Sequence, residues 1–483
     1  MKRALTIFFI TVVLLSACTS APTTTPVPSI TSSPTATALP TNTPTLTNIP
    51  TVAPTSTATA TATPKPTIVG LRDIAYPDKQ LLADAVRPYA KAMRLDSEKV
   101  QVSYKQLKDF QGTPLVVAIT EDGTPLLLAH QNEKGEWQWE EVTIRKLADK
   151  VDLFVGTMMH PTYSSSVPLQ TNQFNVATIT WSWRNREPQR GVIVNLKYVN
   201  DQISLAQKSK HKMMLLTHLI AQMDDIPTWL QQITSKQELE QLIRTHVRQL
   251  ISDYYPFVTY FNVVNEPWYA HPFSKVLGRD QYILIAFEEA EKVRTEIQNK
   301  AKQEGKPIPE IQLGFSHAEN HYAKGAGTQP TKEISTYLAQ RGWVDYVHVH
   351  FHVKTTKDRP SAEDVYNTLM DYQKIVNQRT GKPLEIVVGE LDVNISDIQG
   401  TQQQRFAQQA EIYRTYLKAI LDAGVKKIFF WGVIDAESWY ETGENEGLVQ
   451  KNADALLFDE SNPPQPKPSY FSVLKVLFER LAK

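Results

Sequence analysis

Cysteine is all but missing from this chain: its 483 residues include one, Cys18. That excludes an internal disulfide framework and a zinc cage built on cysteine. Neither charge is in excess. Basic and acidic side chains number 51 each, and residues 71–483 hold 48 against 51, a formal net of −3. Nucleic-acid binding asks for a strong basic excess, so no such partner is expected. Acid is absent from residues 1–70, whose only charges are Lys2, Arg3 and Lys65. Plentiful instead are proline, at 30 residues, and apolar side chains, at 41%. The length is a prior for two or three domains and suffices for a large core.

The chain opens MKRALTIFFITVVLLSACTS. Lys2 and Arg3 precede an apolar run, Ala4 to Leu15, that falls short of the roughly 20 residues a membrane span needs. It fits the core of a signal peptide over residues 1–17. The run ends in Leu15-Ser16-Ala17-Cys18, which resembles a bacterial lipobox and implies that Cys18 becomes the lipidated first residue of the mature protein. The competing reading is an ordinary cleaved signal peptide with an incidental cysteine. Several acyl chains on Cys18, at about 0.8 kcal/mol per buried CH₂, would hold the protein at a membrane surface. Residues 18–67 are then almost wholly Thr, Pro, Ala and Ser and cannot build a core, so they read as a disordered linker. In polyproline II geometry it reaches at most roughly 150 Å. The expected location is extracytoplasmic, lipid-anchored to the cell membrane or surface.

Residues 68–142 read as a small α+β module of unknown purpose. A helical stretch, DKQLLADAVRPYAKAMRL, precedes four short alternating runs, VQVSYKQL, TPLVVAIT, TPLLLAHQ and EWQWEEVT, with a hairpin signal at Asp122-Gly123. Trp137 and Trp139 alternate and so share a face. They offer either a sugar-stacking platform or two aromatics packed against the helix, and packing is the commoner use.

From Thr143 the pattern becomes eight β-like runs, each followed by amphipathic helix, over residues 143–483. That alternation predicts a (β/α)8 TIM barrel, in which catalytic groups sit at the C-terminal ends of the strands. The fourth run ends in Asn265-Glu266-Pro267 and the seventh in Gly389-Glu390-Leu391-Asp392. Either string alone is weak. Two glutamates ending strands 4 and 7 of one barrel face each other across its mouth, which is what a retaining glycosidase needs, with about 5–5.5 Å between carboxyl groups.

With those residues in place, the stretch from Thr143 to Lys483 resembles glycoside hydrolase family 10, the endo-1,4-beta-xylanase family. The motifs that carry the resemblance, in order, are TIRKLADKVDLFVGTMM, FNVATITWSWRNREPQRG, YFNVVNEP, PFSKVLGRDQYILIAFEEA, VDYVHVHFH, VVGELDV, FFWGVIDAESW and LLFDESNPPQPKPSYF. The resemblance implies that Glu266 is the general acid/base and Glu390 the nucleophile. It implies that Asn265 bonds the sugar 2-hydroxyl at subsite −1, that His352 bonds the nucleophile, and that Asp392 orients His352. His218, Trp431 and Trp439 match groups around the glycone, with barrel-rim packing as the alternative reading of the two tryptophans. The substrate implied is xylan or a related β-glycan. No cofactor is implied, and a monomer is expected.

The departures from the family are equally specific. Thr178, Ile179 and Ser182 stand where a Glu, an Asn and a Lys would grip the sugar. Gln222 and Met223 replace a tryptophan-histidine pair, His350 replaces a glutamine and is expected against the substrate, and Ser316 to Asn320 read SHAEN. A lost neutral hydrogen bond to sugar weakens binding by about 0.5–1.5 kcal/mol. Two alternatives therefore stand beside the xylanase: a same-fold glycosidase for another β-glycan, and a non-catalytic glycan-binding lipoprotein. His348, His350 and His352 share one strand face. That invites a metal, but no further ligand is evident in the sequence, so none is expected. The negative Glu390 close to Glu266 is expected to raise the Glu266 pKa and keep it protonated.

Overall fold

The four alternating runs after residue 100 form an antiparallel sheet: β1 (Val102–Lys108), β2 (Pro114–Thr120), β3 (Pro125–Gln131) and β4 (Trp137–Glu141) in sequential order. A computed structural model describes Ile74 and residues 76–194, 196–220, 225–267, 272–357, 359–442 and 450–483. Cys18, the Thr/Pro-rich stretch, Gln222 and Met223 lie outside the described residues. The β2–β3 turn is set by Asp122, whose carboxylate accepts from the Thr124 amide at 3.2 Å and the Thr124 hydroxyl at 3.0 Å, while Gly123 supplies φ +86°. The helix Lys79–Met93 starts on Asp78, which accepts from the Gln80 and Leu81 amides, and ends at the left-handed Arg94.

Trp137 and Trp139 do share a face, since Ala129 pairs with Trp139 and Gln131 with Trp137. Their neighbours differ from the helix expected. They pack with Tyr104, Ile74, Val116 and Ala129 as a small satellite core, in which Tyr104 meets Trp139 edge to face at 5.6 Å. The module itself rests on the helix Pro468–Leu481. Tyr89 meets Phe471 edge to face, Lys105 lies 5.9 Å from the Phe478 ring, and Lys475 reaches the Asp122 turn. Module and barrel thereby share one continuous apolar core.

The barrel closes with every neighbour parallel. Its strands are β5 (Phe154–Met158), β6 (Val176–Thr180), β7 (Met214–Thr217), β8 (Tyr260–Val264), β9 (Gln312–His317) and β10 (Tyr346–Val353), then β13 (Glu385–Val393) and β14 (Lys427–Phe430). Between β10 and β13 a two-residue ladder, β11 (Val376–Asn377) with β12 (Lys382–Pro383), precedes the seventh barrel strand. The interior towards the strand starts is filled by Val176, Leu215, Tyr260, Tyr346, Val387 and Phe429. The Tyr346 ring occupies the space a Cβ of residue 314 would need, which is why that position is glycine. Long amphipathic helices surround the strands, among them Gln281–Gln303 and Gln402–Asp422. Thr401 and Gln404 close the second with a capping box. Among the described residues no helix is long and apolar enough to cross a membrane.

Candidate active site

Two irregularities in the strands aim the glutamates. In β8, Asn262 pairs with Gly314 and Val264 with Phe315, so Val263 is an extra residue. The bulge turns the chain end towards the mouth. Glu266 follows at φ +48°, its amide donating to the Ser316 carbonyl at 3.2 Å. In β13 the extra residue is Gly389, between the pairs Val349–Val388 and His350–Glu390. A Cβ on Gly389 would overlap the His348 ring, so the histidine admits only glycine at the bulge. The strand continues past Glu390 to Val393, so the nucleophile candidate sits inside its last turn of ladder instead of ending it.

Glu390 is ringed by imidazoles. His352 Nε2 lies 2.9 Å from Oε2, and His218 Nε2 lies 3.2 Å from Oε1. His350 Nε2 faces Oε1 at 3.3 Å, off the line of a hydrogen bond. Each imidazole has a second carboxylate behind it. His352 Nδ1 meets Asp392 at 2.8 Å, His218 Nδ1 faces Asp225 at 3.8 Å, and His350 Nδ1 meets Glu266 Oε1 at 2.8 Å. His218 reaches its place through a left-handed backbone at φ +66°. Both catalytic candidates thus meet on a single ring, that of His350.

The electrostatics follow. Burial pushes the Glu390 carboxyl up, but the charge of His350 and the hydrogen bonds of His218 and His352 hold it well below the usual carboxylate range. Burial would lower His352, yet the adjacent Asp392 charge and hydrogen bond prevail and raise it to about 10. His218 is raised too, the hydrogen bond to Glu390 outweighing burial. Glu266 departs from the sequence expectation. Burial and the Glu390 charge do push it up, but the hydrogen bond and charge of His350 win, and its pKa lies below the ordinary value. The residue that reverses the sign is the histidine standing at the glutamine position.

His350 was expected against the substrate. Its side chain is fully buried, with both ring nitrogens turned to the carboxylates, so it stands behind them. Thr178 and Ile179 also differ from their expected place. Both are buried within β6, and Ile179 belongs to the main apolar core. The strand end that reaches the mouth carries Thr180, held by Gln202 at 3.0 Å, and Trp181, packed on Tyr254. Ser182 caps the short helix Trp183–Arg186. No acid, amide or lysine stands at Thr180 to Ser182.

The remaining expected groups converge. Trp439 Nε1 donates to Asp392 at 2.8 Å, and its ring lies 5.2 Å from His352. Trp431 lies 5.6 Å from the His218 ring and 6.5 Å from that of His352. Asn265 Oδ1 accepts from Asn262 and Ser316, each at 2.8 Å, which leaves its amide N–H groups to meet a sugar. Sequence reasoning missed Asp225, Asn262 and Tyr440, whose hydroxyl donates to Asp392 at 3.3 Å. It noted Ser316 only as a departure. Tyr440 stood one residue beyond a matched tryptophan; the other three carry no signal in the chain.

The metal reading gains one term. His348, His350 and Glu390 bring two nitrogens and an oxygen within 4.8 Å, a grouping that could hold an ion, and Glu390 is the third ligand not evident in the sequence. The free nitrogen of His348, Nε2, is pressed onto the Gly389 backbone, however, where a Cβ of that residue would fall. That leaves little room for an ion at the roughly 2.0–2.1 Å of a metal–imidazole bond. The donor set does not fit a resident metal.

Residues 143–476 match the profile of Glycosyl hydrolase family 10. The chain belongs to that family. The chain is similar to Endo-1,4-beta-xylanase B of Thermotoga neapolitana, 24% identical over 370 residues, 71% of this chain and 93% of that protein. Endo-1,4-beta-xylanase 1 of Gibberella zeae is 24% identical over 306 residues, 61% of this chain and 78% of that protein. Among solved structures, xylanase 10B from Thermotoga petrophila, in complex with xylobiose, superposes with a TM-score of 0.58 at 22% identity. It covers 71% of this chain and 99% of its own. The xylanase XylE of Penicillium canescens gives 0.57 at 20%, over 70% and 98%. These likenesses support the fold of this family 10 glycoside hydrolase, whose barrel takes the closed eight-stranded form expected.

Proposed function

We propose that the chain is a retaining endo-1,4-beta-xylanase tethered to a membrane surface through a lipid on Cys18. Glu390 attacks the anomeric carbon of a β-1,4-linked xylose as Glu266 gives a proton to the departing oxygen. Water then opens the glycosyl ester while Glu266 accepts its proton. The observation that carries this reading is the meeting of both carboxylates on one buried imidazole, at 2.8 and 3.3 Å, in the mouth of a barrel. Asp392 and Trp439 hold His352, and His352 with His218 keeps Glu390 anionic and ready to attack. Asn265 presents N–H groups to the 2-hydroxyl, and Trp431 and Trp439 wall the glycone. The xylanase names of the relatives, and the xylobiose in one of the similar structures, support xylan as substrate. The linker serves reach, holding the barrel towards a polymer too large to enter the cell.

A second reading has its own observation. With Thr180, Trp181 and Ser182 at the second strand end, a grip on xylose at −2 has to come from elsewhere, and another β-glycan is the alternative. Reducing-sugar release from xylan, arabinoxylan, mixed-linkage glucan and cellulose, beside Glu390→Ala, separates the two. Xylan turnover abolished by the substitution supports the xylanase. Release from another glycan alone transfers the same mechanism to that polymer, and no release from any favours a binding protein. For the anchor, Cys18→Ala is expected to move the protein from the membrane fraction to the soluble one.

A further inference from the structure

The buried ring between the two glutamates has more to do than fill space. His350 Nδ1 is within 2.8 Å of Glu266 Oε1, and its Nε2 is 3.3 Å from Glu390 Oε1. We propose that His350 is a positioning residue that shares one proton with Glu266 and couples that proton to the charge on Glu390, so that the three groups take up and release protons as one unit. This rests on the assignment of Glu266 and Glu390 made above.

The surroundings admit few competitors for that proton. Among the described residues, Glu266 faces the ring from the end of β8 and Glu390 from β13, with Asp392 further out beyond His352. His218 comes from the end of β7, and His317 from the end of β9. His348 and His352 flank the ring on its own strand, while His321 Nδ1 contacts the His350 carbonyl at 2.9 Å. Burial lowers His317, His321 and His348, so these three stay neutral spectators. His218 and His352 are raised and are committed to Glu390. The ring of His350 is the one imidazole described here that meets the acid/base and the nucleophile together.

Coupling of this kind suits the double displacement. In the first step the C1–O bond to the leaving sugar breaks and the C1–Oε bond to Glu390 forms. The shared proton passes through Glu266 to the leaving oxygen. Glu390 is then a neutral ester, and Nε2 no longer faces an anion. The remaining ring proton is favoured on Nδ1, where it supports the new Glu266 carboxylate. In the second step water loses a proton to the Glu266–His350 pair, its oxygen bonds C1, and the C1–Oε bond breaks to restore the Glu390 anion. Atoms and charge balance over the cycle.

The full-length protein, purified in detergent, tests this by the pH dependence of kcat/KM on a xylo-oligosaccharide, beside His350→Gln. Glutamine keeps a hydrogen-bonding group but cannot carry the proton. Without the imidazole, Glu266 holds its proton to higher pH and Glu390 ionises only at higher pH, so both limbs move to the alkaline side. Limbs that stay in place in a folded variant overturn the proposal, whether or not the rate falls, since a merely structural ring would change the rate alone. A second measurement needs neither turnover nor a folded variant. In the wild type with ¹³C-labelled glutamate and ¹⁵N-labelled histidine, the side-chain carbons of Glu266 and Glu390 and the ring nitrogens of His350 are followed by NMR against pH. Common steps in all three support the unit, and independent steps overturn it. Absence of glycan hydrolysis would sink the enzymatic reading and leave this titration standing on its own result.

Discussion

Of the three carboxylates on strand β13, Glu385 at its start and Glu390 towards its other end could hardly be treated more differently. At its start Glu385 accepts from the Tyr260 hydroxyl at 2.7 Å and pairs with Lys427, whose ammonium lies 5.0 Å from the Tyr260 ring and 5.2 Å from that of Phe154. That pair ties β13 to β14 at the barrel floor. Towards its other end Glu390 is buried and faces three imidazoles, each backed by another carboxylate. Imidazole gives and takes protons near neutrality. Charge compensated by lysine holds a structure together, whereas charge compensated by histidine can change during a reaction.

The contrast can be broken most sharply at Glu390. Glu390→Ala is expected to remove xylan turnover entirely, while Glu385→Gln leaves it within about twofold, as for a change remote from chemistry. Reducing-sugar assays of the two variants side by side decide this. Glu266→Gln comes next, with a loss of about 10²–10⁴ in kcat on natural polymer. The loss should be much smaller on an aryl glycoside whose leaving group needs no proton, and equal losses on both would contradict the acid/base role. Gly389→Ala drives a methyl group into the His348 ring, and thermal unfolding should register a loss of about 1–3 kcal/mol.

A fourth comparison concerns pH. His352 is raised to about 10 in the folded chain, against about 6.5 for an unfolded histidine. Its contribution to stability is complete below about 6.5 and is lost as pH rises towards about 10. Asp392→Asn removes the largest cause of that shift, so its melting temperature should fall less steeply over the same window. A slope equal to that of the wild type would contradict the assignment. The smallest effect is expected at the floor. Lys427→Met leaves a carboxylate that is a third exposed, and a cost of about 1 kcal/mol in a denaturant titration, with an unchanged pH–rate profile, would confirm a structural role.

Much of this arrangement was readable beforehand, because strands buried on both faces write long apolar runs and helices write a period of 3.6. The runs VDYVHVHFH and LEIVVGELDV landed on β10 and β13 within two residues. Glu266 and Glu390 were legible because strand ends in a barrel have a fixed address, and His352, Asp392 and Trp439 through the resemblance to family 10. His350 was seen but misplaced. Its orientation depends on the Gly389 bulge, which shifts register by one residue and has no signature apart from the glycine itself. Thr178 and Ile179 were misplaced for a related reason. Placing an edge of β6 from motif spacing alone leaves an error of two residues, enough to move a side chain from the mouth into the strand body. Asp225 approaches His218 from another part of its own loop, a meeting that only the folded chain makes.

The grip of the small module on the helix Pro468–Leu481 bears on how the protein comes to be. Lys475 and the Asp122 turn are 353 positions apart along the chain, and Phe471 and Phe478 are likewise made long after the residues they cover. During synthesis, therefore, the sheet is complete well before its last partner exists. Loops of that span close slowly. The module waits with an apolar face uncovered until the final helix emerges, so truncation there is expected to leave that face exposed to water.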